Sequence, residues 1–231
     1  MIIYGKNTVK EAILAKRPVY QVWLDEKKTD FKWVPFLKEH NIPYKLVSKH
    51  QLNDKTDNQN HQGIVADVKP YTYADLSILF DGNKKKVLIL DQIEDPHNLG
   101  AILRSVEATK IDAVILPKNR SVEITGTVAK TAVGALEYTQ IIQVTNLTQT
   151  IEKLKEHGFW VVGTDMVADK TYKDIDTSTS VAVVIGNEGE GISRLVKQSC
   201  DYLVMIPMIG KVNSLNASVA AALILYKLAD L

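Results

Sequence analysis

The sequence predicts an α/β protein in two parts: a small α/β module, then a larger domain built on a mostly parallel sheet. Three observations carry this. From Lys86 onward, β-branched runs alternate with amphipathic stretches of helical period, the pattern of a parallel sheet with helices on both faces. Before Pro70 the alternating elements are shorter and more polar. Between them, YTYADLSILFDGNKKK carries an Asp81-Gly82-Asn83 turn signal and a lysine triplet, which close one part and open the next. The parts are therefore expected at residues 1–70 and 85–231, joined by a linker at 71–84.

In the first part, helical period over Thr8 to Leu14 precedes an apolar alternation over Val19 to Leu24 that reads as a strand. A helix around Phe31 to Lys38, a strand at Tyr44 to Val47 and a strand at Ile64 to Val68 follow. The polar run SKHQLNDKTDNQNHQ, Ser48 to Gln62, reads as a helix start running into an exposed loop. In the second part the strands fall at Val87–Asp91, Ala113–Leu116, Gln140–Val144, Trp160–Thr164, Val181–Ile185 and Tyr202–Ile206. Helices are expected at Asn98–Thr109, Thr127–Gly134, Leu147–His157, Ser193–Lys197 and Leu215–Leu228.

Composition narrows the class. With 45% apolar and 24% charged residues over 231 positions, the chain has the profile of a soluble globular protein. Its start, MIIYGKNTVKEAILAKRP, has no apolar core of signal-peptide length, and no uncharged stretch approaches the roughly 18 residues of a membrane span. A cytoplasmic location is expected. The net charge of +1 hides an asymmetry: residues 1–70 hold 12 Lys and Arg against 8 Asp and Glu, whereas the remainder holds 16 against 19. A basic first part is compatible with RNA, and equally with ordinary surface variation. Cys200 stands alone, so an intramolecular disulfide is excluded, a thiolate metal cluster is disfavoured, and a buried structural thiol is favoured over a nucleophile.

Three loops after predicted strands stand where parallel sheets place ligands. In QIEDPHNLGAILRSVEA, Pro96 fixes a turn, Asn98 can cap the helix, and Arg104 lies nearly two turns in, on a different face from Ile102, Leu103 and Val106. The same spacing also fits a capped helix with a surface arginine. The second loop, GNEGEGIS from Gly186 to Ser193, has three glycines in six residues, which permit close main-chain approach. It matches neither dinucleotide nor P-loop spacing, and its two glutamates repel a polyphosphate, so an adenosyl ligand without phosphate fits better than a nucleotide, with a plain tight turn as the alternative. The third, IPMIGKVNSLNASVAAALILYK, places Ser214, Asn216 and Ser218 at a helix start, followed by a helix apolar nearly all round. Leu215, Val219, Ala222, Leu223 and Tyr226 share one stripe of it, which must be buried within the domain or against a second subunit.

Taken in order, DPHNLGAILRSVEA, VIGNEGEGIS and IPMIGKVNSLNASVA resemble the three motifs of the SpoU (TrmH-like) RNA 2′-O-ribose methyltransferases of the SPOUT superfamily. GKNTVKEAI and NHQGIVA in the first part are similar to the branch that modifies a guanosine of 23S ribosomal RNA. The resemblance implies a C-terminal domain with a trefoil knot, a homodimer with the active site near its interface, and a first domain similar to a ribosomal RNA-binding protein. It implies S-adenosyl-L-methionine as methyl donor, held by Thr164, Gly186, Ile206 and Leu215, and a polar catalytic group of Asn98, Arg104, Glu188, Ser214 and Asn216, without a metal. Arg104 is implied to act on the ribose hydroxyl, as a base or by holding the adjacent phosphate, and a guanidinium with a pKa above about 12 is a reluctant base. Asn187 departs from the serine of many relatives. His97, a lone loop histidine, is left outside the set. Two rivals belong to other classes. A non-catalytic RNA-binding or ribosome-assembly protein would not need Arg104, Glu188, Ser214 and Asn216 together, and a nucleotide-dependent metabolic enzyme would need a phosphate fingerprint that the chain lacks. Within the family, transfer RNA and a ribosomal site conferring antibiotic resistance are the closer rival substrates.

Overall fold

The computed structural model describes residues 1–28, 32–211 and 214–231; the expected helix start at Phe31 and the Val212-Asn213 pair of the third loop lie outside the described residues. The chain forms two compact units, Met1–Thr72 with Glu123–Tyr138, and Tyr73–Val122 with Thr139–Leu231.

In the first unit, β1 (Ile2–Tyr4), β2 (Val19–Asp25), β3 (Tyr44–Val47) and β4 (Ile64–Val68) make a sheet ordered β1-β4-β2-β3. β4 runs antiparallel to β1 and β2, while β3 lies parallel to β2. β1 is an addition to the expected elements, because three residues are too few to establish a period. Around the sheet lie α1 (Lys6–Leu14), α2 (Trp33–Glu39) and α3 (Lys49–Lys55). The polar run beginning at Ser48 does start a helix: Ser48 Oγ accepts the Gln51 amide at 3.4 Å and Gln51 Oε1 accepts the Ser48 amide at 3.0 Å, a reciprocal cap.

The second unit contains β5 (Lys86–Leu90), α4 (Pro96–Thr109), β6 (Ala113–Pro117) and, after the excursion to the first unit that includes α5 (Gly126–Ala132), β7 (Ile141–Val144). It continues with α6 (Leu147–Glu156), β8 (Trp160–Thr164), β9 (Lys170–Thr171), β10 (Val181–Ile185), α7 (Arg194–Ser199), β11 (Tyr202–Met205) and α8 (Ala217–Leu228). Its sheet is ordered β7-β6-β5-β10-β8-β11-β9 and is parallel at each pairing. The runs VLIL, AVIL and VAVVI are buried throughout, as strands covered on both faces must be. The chain builds outward from β5 through β6 to β7, then lays its later strands on the other side of β5. β5 and β10 are therefore the neighbours at which the order reverses, and the crevice at their carboxyl ends is where such sheets hold ligands.

The segment 123–138 follows β6 in sequence yet packs with the first unit. Two glycines make room for it. A Cβ on Gly126 would stand 2.5 Å from the Ile2 carbonyl oxygen, and one on Gly134, at φ +99, would stand 2.3 Å from Glu11 Cγ. Arg17 then pairs with Glu137 at 2.8 Å, both side chains under a tenth exposed. Burial pushes the Glu137 carboxyl above the usual carboxylate range, against the opposing pull of Arg17.

Candidate active site

The loops leaving β5 and β10 meet at the reversal point. Asp91, buried at the end of β5, accepts the Ser193 amide at 2.7 Å and so ties the Gly-rich loop to its neighbouring strand. Within that loop Asn187 Oδ1 accepts the amides of Gly189 and Glu190 at 3.0 and 2.7 Å, a side-chain turn that a serine would make more weakly. The loop doubles back so tightly that a Cβ on Gly186 would fall 2.0 Å from the Gly191 backbone. Glycine is obligatory there.

The doubled loop delivers Glu188 to the start of two helices. Its Oε1 accepts from Asn98 Nδ2 at 3.0 Å, from Asn216 Nδ2 at 2.6 Å and from the Ala217 amide at 2.9 Å. Asn216 Nδ2 also donates to Asn98 Oδ1 at 2.9 Å, closing a triangle of one side chain from each loop. Asn216 caps α8 through the Ser218 amide at 2.9 Å, and Glu188 adds a negative charge at that positive helix end. Two expectations are corrected here. Asn98 does not cap α4; Asp95 does, accepting the His97 amide at 2.9 Å with Pro96 as first helical residue, which leaves the Asn98 side chain free to cross to Glu188. α8 begins at Ala217 rather than Leu215, because Asn216 takes the cap.

Arg104 is on the exposed face of α4 and has no partner among the described residues. Ser214 is exposed and its hydroxyl makes no hydrogen bond among the described residues, so it stands outside the triangle. Thr164, Gly186 and Ile206 end or directly follow β8, β10 and β11, three adjacent strands, and Leu215 is half-buried just before the α8 cap. Thr164 Oγ1 donates to the Val184 carbonyl at 3.0 Å. Asp165, next in line, is ion-paired with Lys197; burial works against its charge, but the Lys197 ammonium and nearby amides prevail and hold it low. Asp91 and the Asp165–Lys197 pair are the structural polar groups that the sequence reading missed. Each is an acid directly after an apolar run, the position at which a parallel strand opens into its loop.

In the loops that follow these strands Met166, Val167, Met208 and Ile209 are exposed, and the Gly-rich loop offers main-chain groups and two glutamates. That donor set suits a planar, uncharged ring and a ribose rather than a phosphate chain, and thus fits an adenosyl ligand. On the other side of the Gly-rich loop a cleft of about 410 Å³ lies between Gln92, Glu94, Asn98 and Glu188. Cys200 is no nucleophile: burial, with Asp201 beside it, pushes its thiol up to about 12. Among the described residues no three His, Cys, Asp or Glu side chains group as a metal would need, and no helix is long and apolar enough to cross a membrane.

A parallel sheet with an order reversal, a glycine-rich loop doubled over it and an amide–carboxylate triangle at its mouth make a ligand site of the doubly wound α/β kind, and the comparisons give its class, an RNA methyltransferase. Residues 85–226 match the SpoU rRNA Methylase family and residues 2–74 match the RNA 2′-O ribose methyltransferase substrate binding domain. The chain belongs to the SpoU methylase family, of which a solved member holds S-adenosyl-L-methionine as its cofactor. It is 46% identical over 234 residues to a TrmH family tRNA/rRNA methyltransferase of Staphylococcus aureus, covering 98% of this chain and 94% of that one. The TrmH family tRNA/rRNA methyltransferase YacO of Bacillus subtilis is 42% identical over 233 residues, covering 97% and 93%. In fold, the chain is similar to the SpoU methyltransferase AviRb of Streptomyces viridochromogenes, solved with AdoMet, at TM-score 0.85 and 24% identity over 100% of this chain and 89% of that one. An AdoMet-bound rRNA methyltransferase of Sinorhizobium meliloti gives 0.83 at 21% identity, covering 99% and 86%.

Proposed function

We propose that the protein methylates the ribose 2′-hydroxyl of a guanosine in 23S ribosomal RNA, in the cytoplasm and as a homodimer. The observation that carries the reading is the Asn98–Glu188–Asn216 triangle, which joins all three family motifs, with Arg104, without a partner among the described residues, on the same helix as Asn98. In this reading residues 1–70 recognise RNA, 71–84 link, and 85–231 hold the threaded catalytic fold.

S-adenosyl-L-methionine, when bound, supplies an electrophilic methyl group on a sulfonium. Thr164, Gly186, Ile206 and Leu215 hold the donor through main chain and apolar packing. Glu188 and Asn98 fix the loops that face it, Asn216 and Ser214 orient the ribose, and Arg104 acts on the hydroxyl. In-line transfer needs the oxygen at near-attack distance and its proton removed as the bond forms. Arg104 meets the second need either by taking the proton or by gripping the adjacent phosphate with its planar fork, and Arg104→Lys separates these, since lysine keeps the charge without the fork. The homodimer rests on α8: Ala221, Ile224, Leu225 and Leu228 are buried, while Val219, Leu223 and Tyr226 leave an apolar stripe exposed in the single chain.

The test is transfer of a labelled methyl group from S-adenosylmethionine to total RNA of cells lacking this protein. Label at one alkali-resistant guanosine of 23S RNA supports the reading; label in transfer RNA alone overturns the ribosomal assignment, and label on a base overturns ribose chemistry.

A further inference from the structure

The first unit holds hydrogen-bond donors that find no acceptor among its described residues. Lys130, on α5, runs its side chain across Gly5: a Cβ on Gly5 would meet Lys130 Nζ at 2.1 Å and Cδ at 2.8 Å. One residue further, the Lys6 amide donates to Gln62 Oε1 at 3.1 Å, which anchors the His61-Gln62 loop beside the same spot. His61 is buried, with Nε2 against Asn53 Oδ1 at 2.9 Å and Nδ1 accepting the Gly63 amide at 3.0 Å. The acceptor role of Nδ1 fixes a neutral ring, so His61 carries no charge of its own there. It stands in the field of both Lys130 and Lys49.

Neither lysine has a hydrogen-bond or ion-pair partner among the described residues, and the Gln62 amide nitrogen has none either. Asp25, the acid whose charge reaches His61, already accepts the Lys27 and Lys28 amides at 2.9 and 3.3 Å. Lys130 is half-buried, and that burial, with no carboxylate to offset it, lowers its pKa. A partly desolvated ammonium without a counter-charge is a standing cost to the fold, and an anion from outside removes it.

We infer that Lys130, with Lys49 and the Gln62 amide, grips a backbone phosphate of the substrate RNA, so that residues 123–138 belong to the RNA-binding surface. This rests on the RNA-substrate reading and extends it. The segment lies inside the span that matches the methylase family, 85–226, yet folds with the unit matched by the substrate-binding family at 2–74. Such a contact positions the RNA without reading its sequence.

The experiment measures RNA affinity against salt for wild type, Lys130→Met and Lys130→Arg. Methionine keeps an apolar stem over Gly5 and removes the charge. The inference requires Lys130→Met to bind RNA more weakly, with its log–log salt slope shallower by about 0.7–0.9, one phosphate contact, and Lys130→Arg to restore the slope. Lys130→Met should melt no lower than wild type and bind S-adenosylmethionine equally well. Unchanged affinity and slope in Lys130→Met would make Lys130 a packing residue and overturn the inference. If that variant does not fold, Lys49→Met decides by the same reading, a shallower slope supporting and an unchanged slope overturning. Wild-type protein whose RNA binding ignores salt would sink the RNA-substrate reading itself, a distinguishable failure.

Discussion

Glu188 shows how one side chain holds three loops together, because a single oxygen collects three N–H groups from two other segments. Glu188→Ala should therefore cost about 1–2 kcal/mol of unfolding free energy, the loss of three hydrogen bonds and of a negative charge at a helix start, whereas Glu188→Gln keeps an acceptor and most of that stability. Urea unfolding of both variants checks this, and equal losses would place the stabilisation in the charge. Arg104 predicts the opposite separation. Exposed and without a partner among the described residues, its replacement by Ala should leave stability within about 0.5 kcal/mol while activity falls on the order of 10²-fold or more. His61 gives a pH dependence. Burial lowers its pKa below the ordinary 6.5, Lys49 and Lys130 push the same way, and Asp25 opposes them. Protonation is thus easier in the unfolded chain, so the stability that neutral His61 confers is present above 6.5 and is lost as pH falls through the window below it. Thermal melts of wild type against His61→Gln should diverge above that pH and converge below it; parallel curves would remove His61 from the account. Of these residues, Glu188, Asn98 and Arg104 were legible as motif members. The role of His61 was not, because a lone histidine in a polar run carries no sign of burial.

At the scale of elements, the long apolar runs were plain from sequence: β5, β6, β8 and β10 lie within a residue of expectation, since strands buried on both faces have nothing to dilute their signal. Helix starts were less legible. The shift of the α4 cap to Asp95 turns on which of two cap-forming residues three positions apart is used; Asp95 takes it with Pro96 as the first helical residue, and Asn98 turns instead to Glu188. β1 and β9 escaped because two or three residues make a strand only when a neighbouring edge recruits them. α8 was expected to be apolar all round, and its exposed stripe of Val219, Leu223 and Tyr226 is the half of that pattern which the single chain does not cover. Leu223→Glu should accordingly convert a dimer to a monomer without lowering the melting temperature of the isolated chain, as read by light scattering. Light scattering that finds wild type monomeric across the working concentration range would refute the dimer.

For the molecule as a whole, the sequence order suggested two consecutive domains, and the family matches at 2–74 and 85–226 follow the same order. The compact units interleave instead, with Glu123–Tyr138 packed on the first. Nothing in a linear pattern announces this, because Gly126 and Gly134 become informative only once the surfaces they fit, Ile2 and Glu11, are known. The reversal between β5 and β10 was equally hidden, since strand order depends on pairing rather than on any one strand, yet it is what brings the three loops to one mouth. The central claim, that of the proposed function, is that this mouth, together with Arg104 on α4, transfers a methyl group to an RNA ribose. The most direct measurement is single-turnover methyl transfer at saturating S-adenosylmethionine and 23S RNA, comparing wild type with Arg104→Ala, with the methylated position mapped by alkaline resistance. The account predicts label at the ribose of one alkali-resistant guanosine, with the rate in Arg104→Ala reduced on the order of 10²-fold or more and donor affinity preserved. Equal rates in the two proteins, or label that does not protect the backbone from alkali, would contradict it.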